Sequence, residues 1–403
     1  MTPPHAWRLA AVLLCLTPAA CDRAPASIAL EALEPPVGAE SAMPNLTATP
    51  DGDAILSWLE PAGDSTYAMR VSRLADGAWS EPTVVARGRD LFVNWADFPS
   101  VLAHPNGDLL AHWLVRNGGG RSAYDIHVAR STDGGLTWGE GLVPHHDGTL
   151  TEHGFVSLWP EPGDSLGMIW LDGRDYASAP DDSGATRLMA GGLAGSTAVA
   201  AEQVVDARIC DCCQTGMAMT SRGPVVAYRD RSADEIRDIA VVRRVDGVWT
   251  EPRIVHPDGW RITACPVNGP QLAAAGDTVA LVWFTAATVP TVQLAVSTDA
   301  GATFGAPVRI DDGNPVGRVD VVTSPEGPVV SWIENTGEGI ADVRLRRLTW
   351  GGETIQTLTV NTGTAARASG FPRMYWAGGS LMLAWTDVAS RRVRVVRAVE
   401  APE

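Results

Sequence analysis

One arrangement of apolar and polar positions recurs along the chain: a short apolar run ends in Trp or Tyr, and an acidic residue often follows two positions later. It reads Ile55-Leu56-Ser57-Trp58 with Glu60, Leu110-Ala111-His112-Trp113, Gly167-Met168-Ile169-Trp170 with Asp172, and Val225-Val226-Ala227-Tyr228 with Asp230. Trp283, Trp332 with Glu334, and Trp385 with Asp387 complete seven copies, spaced 49–58 residues apart. Upstream of the aromatic lies another short strand pattern, as at Pro44-Asn45-Leu46 and Phe371-Pro372-Arg373. Downstream runs an alternating one, such as Ile126-His127-Val128-Ala129, then a turn and a fourth strand, as in Asp246-Gly247-Val248-Trp249. Period-two alternation bounded by turn residues predicts strands, and four strands per repeat at this period predict propeller blades. The expected fold is all-β, a single β-propeller of seven four-stranded blades, with six as the alternative. The last copy is one strand short, whereas Ile28 to Leu33 is a spare strand at the other end. An N-terminal strand closing the last blade would leave no open edge.

Composition fits this picture and narrows it. The 403 residues include 41 Gly, 28 Pro and 15 Trp with only 19% charged residues, which suits many short strands joined by tight turns. A formal charge of -16 repels phosphate backbones, so nucleic acid is not an expected partner. There is no Lys, which excludes a Schiff-base or P-loop lysine.

The first residues predict export. Arg8 precedes the apolar run Leu9 to Leu16, and Thr17-Pro18-Ala19-Ala20 leads into Cys21. This resembles the cleavage site of bacterial lipoproteins, with Pro18 departing from the usual aliphatic residue. The expected organisation is residues 1–21 as signal peptide with Cys21 lipidated, 22–27 as tether and 28–400 as propeller. Ordinary signal-peptidase cleavage near Ala20 is the alternative. The implied location is the cell envelope, periplasmic face or cell surface, as a lipid-anchored monomer.

The cysteines carry the most distinctive chemistry. Cys210-Asp211-Cys212-Cys213 opens the fourth repeat and Cys265-Pro266 the fifth. Cys210 and Cys265 each lie 18 residues before their blade's aromatic landmark, Tyr228 and Trp283, and so hold equivalent places on adjacent blades. Repeat register therefore predicts that the four cluster on one face. Disulfides are one reading in an oxidising compartment. A thiolate site for copper as Cu(I), or for zinc, is another. A redox-active pair is the third.

The same register places polar residues on that face. Asp172, Arg174 and Asp175 follow Trp170, and Arg229, Asp230, Arg231, Glu235, Arg237 and Asp238 follow Tyr228. Asn94, Asp97, His153, Trp260, Asn268, Arg318, Asp320 and Arg373 come from other blade entries. Arg174, Arg229, Arg231, Asn268 and Arg373 are candidates for holding a polar or anionic small ligand. Arg–carboxylate bridges bracing blades three to five are the competing reading. Asp172, Asp175, Asp230 and Glu235 are the candidate acid and base of a hydrolase or lyase. His145-His146, near the end of the second repeat, is expected in solvent.

Two segments carry a family resemblance. Ser131-Thr132-Asp133-Gly134-Gly135-Leu136-Thr137-Trp138 and Ser297-Thr298-Asp299-Ala300-Gly301-Ala302-Thr303-Phe304 resemble the Asp-box (BNR repeat) turns of sialidase-like propellers. The resemblance implies fold rather than activity, since these turns are structural. It also implies an Arg-Ile-Pro motif on the first inner strand of an active sialidase. The chain has Ala42-Met43-Pro44 there, so sialidase activity is not expected. The Cys210–Thr215, Tyr228–Ser232 and Cys265–Pro270 segments are similar to those of exported sialidase-like propellers with a Cys-x-Cys-Cys motif, a group that brings no established activity. The function expected is ligand or metal binding at the cysteine-rich rim of blades three to five. A glycoside-active hydrolase or lyase, and a scaffold for another envelope protein, are the alternatives.

Overall fold

The computed structural model describes residues 1, 26–179, 184–195, 198–377 and 379–401. The expected signal segment and Cys21 lie outside the described residues.

Seven antiparallel sheets follow one another along the chain. The blades span 42–88, 100–131, 153–209, 216–254, 271–309, 315–363 and 373–400. Blade 2 has three strands, and Leu142 bridges Val128 in the fourth position. Ile28–Leu33 pairs antiparallel with Arg392–Glu400, from Ile28 opposite Glu400 to Leu33 opposite Val395. The ring is thus closed by the two ends of the chain, and the seven-blade expectation holds.

All seven landmark aromatics sit on the second strand of their blade, and all are buried. The acidic residue two positions on has a physical reason. Residues i and i+2 of a strand share a face, and an indole N–H taken from water needs an acceptor. Trp58 Nε1 donates to Glu60 Oε2 at 2.7 Å, Trp170 to Asp172 at 2.8 Å and Trp332 to Glu334 at 2.6 Å. Tyr228, in the corresponding place, turns instead to Asp206 on the preceding blade at 2.6 Å. The core lies between blades: Trp159, Ile169 and Leu188 of blade 3 pack in one cluster with Val226, Tyr228 and Ala240 of blade 4.

The 131–138 and 297–304 turns are built alike. Ser131 and Ser297 Oγ each accept the N–H of the glycine four residues on, and Asp133 and Asp299 hold both the N–H and the hydroxyl of Thr137 and Thr303. Gly135 and Gly301 take φ of 93° and 75°, a region that favours glycine. The inner strands surround a central cavity of ≈550 Å³ to which all seven blades contribute, among them Asn45, Ser157, Thr215 and Arg373. Second-strand ends and first-strand starts share one face of the ring, and the candidate residues lie there.

Candidate functional site: a cysteine cluster on the entry face

The segment 210–213 joins the last strand of blade 3 to the first of blade 4. It is anchored by an Ile209–Asp230 bridge and by Cys210 N–H donating to the Arg229 carbonyl at 3.0 Å. This folds the motif back on itself, so that Cys210 Sγ lies 3.8 Å from Cys212 Sγ and 3.6 Å from Cys213 Sγ. A disulfide bond is about 2.05 Å long, and the four cysteines are free thiols in this structure. Cys265 reaches the cluster from blade 5, its sulfur grouping with Cys212 and Asp211 inside 4.8 Å. The repeat register therefore brings the four cysteines together.

Cationic groups back the cluster. Arg237 Nη1 donates to Cys210 Sγ at 3.2 Å, and the Asn268 N–H donates to Cys213 Sγ at 3.4 Å. Hydrogen bonds from Cys212 and Cys213, aided by the Arg237 and Arg229 charges, hold the Cys210 thiol well below the usual range. Burial pushes the Cys213 thiol up. Thiolates packed this closely are the donor set that soft ions prefer. Tetrahedral zinc, with Zn–S about 2.3 Å, would need a fourth ligand close to the same triangle. Cys265 groups with Asp211 and Cys212 instead of completing it.

The arginines divide sharply. Arg229 is 1% exposed and donates to the carbonyls of Asn268, Phe284 and Arg237, with its guanidinium 4.8 Å over the Trp260 ring. That arrangement braces blades four and five and commits four of the five N–H donors of the guanidinium. Asn268 is engaged likewise, its amide donating to the Pro266 and Val316 carbonyls and its oxygen accepting the Arg318 N–H. Arg174 grips Asp172 and also reaches Glu202 at 2.8 Å. Arg373 sits apart at the central cavity, 3.5 Å from Asp320. Arg231 pairs with Glu235 yet lines a cleft of ≈360 Å³, shared with Glu152, Tyr176 and Asp211.

Three of the four candidate acid–base carboxylates are engaged by arginines. Against the effect of burial, hydrogen bonds from Arg174 hold Asp172 below the usual carboxylate range. Asp175 pairs with Arg187 at 2.6 Å. Arg231 and Arg237 hold Glu235 low. Asp230 alone is raised, to about 6, by burial.

Two clusters escaped the sequence reading. His145 is buried, not in solvent; only His146 is exposed. The Val128–Leu142 bridge draws the chain back onto blade 2, and the Ile126 N–H reaches His145 Nε2. His145 stacks on His153 with ring centroids 3.9 Å apart, and Asp125 and Asp147 flank both rings. Beside them the Tyr124 hydroxyl lies 2.6 Å from Asp97 Oδ2 and 2.7 Å from Glu152 Oε1. One hydroxyl proton cannot serve two carboxylates, so at least one carboxyl is protonated. Burial raises Asp97 to about 7 and Glu152 to about 8. No repeat register links Tyr124 to Glu152, so the sequence held no signal for this contact.

No protein-family model and no curated protein matches the sequence. Among solved structures, the chain is similar to a protein of unknown function from Dyadobacter fermentans, with TM-score 0.51 and 14% identity over 90% of this chain and 95% of that one. It is also similar to an α-L-arabinofuranosidase from Fusarium graminearum (TM-score 0.49, 15% identity, 93% and 97% covered). A sialidase from Streptococcus pneumoniae gives TM-score 0.44 and 10% identity, covering 89% of this chain and 68% of that one. At these identities the likeness is one of fold, and the chain is a seven-bladed β-propeller.

Proposed function

We propose that this protein is an exported, lipid-anchored envelope propeller that binds a soft metal ion, Cu(I) in preference to Zn(II), through Cys210, Cys212 and Cys213. The observation that carries the reading is three free sulfurs, two of the separations being 3.6 and 3.8 Å, on a face where the Arg237 guanidinium donates to Cys210 Sγ. Weak hydrogen-bonding groups gain little from facing one another, so a set of converging thiols is best accounted for by an ion that binds them. The alternating charge of Arg231, Glu235 and Arg237 beside it fixes the loop rather than offering a carbohydrate site.

The test is metal content after anaerobic purification with reductant, Cu(I) loading and desalting. The wild-type chain is expected to retain about one ion, and Cys213→Ser or Cys213→Ala none. Wild-type protein that keeps no metal, and whose four thiols pair as disulfides on exposure to air, would overturn the reading.

A further inference from the structure

The four cysteines are not equivalent. Cys210 and Cys213 are 1% and 2% exposed, Cys212 is half-buried, and Cys265 is exposed. Two groups of ligand atoms lie within 4.8 Å of one another, Cys210–Cys212–Cys213 and Asp211–Cys212–Cys265, and Cys212 belongs to both. The inner group is held firmly: Arg237 fixes Cys210, and Cys213 accepts the N–H of Asn268, whose side chain is tied to blade 6 through the Val316 carbonyl and the Arg318 N–H. The outer group is more exposed, although Arg237 also reaches Asp211 Oδ1 at 3.4 Å. Cys265 follows the exposed residues Thr263 and Ala264, and its sulfur lies 3.9 Å from Asp211 Oδ1. Asp211 also lines the ≈360 Å³ cleft with Glu152, Tyr176 and Arg231. Solvent, the outer pair and the inner triangle are therefore contiguous, in that order.

From this arrangement we infer that Cys265 and Cys212 are an entry pair, through which Cu(I) delivered by a small thiol passes by ligand exchange to the inner triangle of Cys210, Cys212 and Cys213. The inference rests on the metal-binding reading above and adds a path and a donor class to it. A cleft of this volume is of the size that takes a small molecule rather than a folded domain. In the exchange, Cu–S bonds to Cys265 and Cys212 replace two to the donor thiols; Cys210 then displaces Cys265, and Cys213 adds as the third ligand. Copper stays Cu(I) throughout. The protons of Cys212 and Cys265 pass through solvent to two departing donor thiolates, that of Cys210 returns to the displaced Cys265 and that of Cys213 goes to solvent, so nothing is oxidised or reduced. Cys212 remains bound while Cys265 is replaced by Cys210 and Cys213, and a shared ligand means the ion is never released to water.

The experiment is time-resolved transfer from Cu(I)–glutathione to the full chain, alongside equilibrium competition with a Cu(I) chelator. Cys265→Ser is expected to load at least tenfold more slowly while its affinity stays within about threefold of wild type. Cys213→Ser is expected to lose affinity at least a hundredfold; Cys213→Ala and thermal melts check that both variants fold. Two results would overturn the relay. Cys265→Ser losing as much affinity as Cys213→Ser would mean a single four-sulfur site, and Cys265→Ser loading at the wild-type rate would make Cys265 a bystander. Wild-type protein that takes up no copper at all would instead fail the underlying metal-binding reading.

Discussion

The entry face carries two buried polar regions that differ in how completely they are satisfied. On blades two and three, Tyr124, Asp97, Glu152, His145, His153, Asp125 and Asp147 meet partners of matching chemistry at hydrogen-bond or near hydrogen-bond range. On blades four and five, three sulfurs face one another with only an arginine and a backbone N–H as donors. The first region pairs its acids and bases with one another, though the ligand atoms of its Asp125–His145–His153 and Asp147–His153–Asp172 groups also each lie within 4.8 Å of one another. The second has donor atoms left over, and leftover donors in a fixed geometry are what a ligand needs. Burial of charge alone therefore does not mark the site; incomplete satisfaction does.

The contrast breaks most visibly through stability. His153→Ala removes a fully buried ring that touches Asp125, Asp147 and its stacking partner, and is expected to cost about 3 kcal/mol by chemical denaturation, with copper retention unchanged. Loss of copper binding in that variant would join the two regions functionally. Gly154→Ala comes next. A Cβ there would meet Asp97 Oδ2 at 2.0 Å and Tyr124 Cε2 at 2.6 Å, both in fixed positions, so a loss of about 2 kcal/mol is expected.

A smaller effect concerns pH. Asp97 and Glu152 stay protonated in the folded chain up to about 7 and 8, whereas the unfolded chain releases these protons near 3.8 and 4.5. Between those limits the folded state binds more protons, so this cluster lowers stability as pH rises from about 4 to 8. Asp97→Asn should flatten that decline in thermal melts at pH 5 and pH 8. An unchanged slope would mean the proton is not held there. The smallest effect is expected of Cys213→Ser in the metal-free chain, within about 1 kcal/mol of wild type, since its sulfur makes only weak hydrogen bonds, with the Asn268 N–H and Cys210 Sγ. With copper at a hundredfold excess over its dissociation constant, wild type should gain about 2.7 kcal/mol and the variant nothing.

What the sequence made legible follows from periodicity. The second-strand aromatics, the acidic residues after Trp58, Trp170 and Trp332, and the closing strand at Ile28–Leu33 are fixed by local pattern, and the structure places each as expected. The cysteine cluster was legible for the same reason, because equal offsets from Tyr228 and Trp283 imply neighbouring places on the ring. Contacts without a repeat equivalent were not. The stack of His145 on His153 depends on the path of the chain after Leu142, and the orientation of Arg229 toward three carbonyls depends on loops from two other segments. Residue type marked both as polar, and only tertiary geometry separates a brace from a binding group.

X-ray absorption at the copper edge of the loaded wild-type chain tests the central claim most directly. A first shell of about three sulfurs at roughly 2.2–2.3 Å, abolished in Cys213→Ser, is the predicted result. A shell dominated by nitrogen and oxygen, unchanged in Cys213→Ser and lost in His153→Ala, would move the site to the histidine stack and contradict the account.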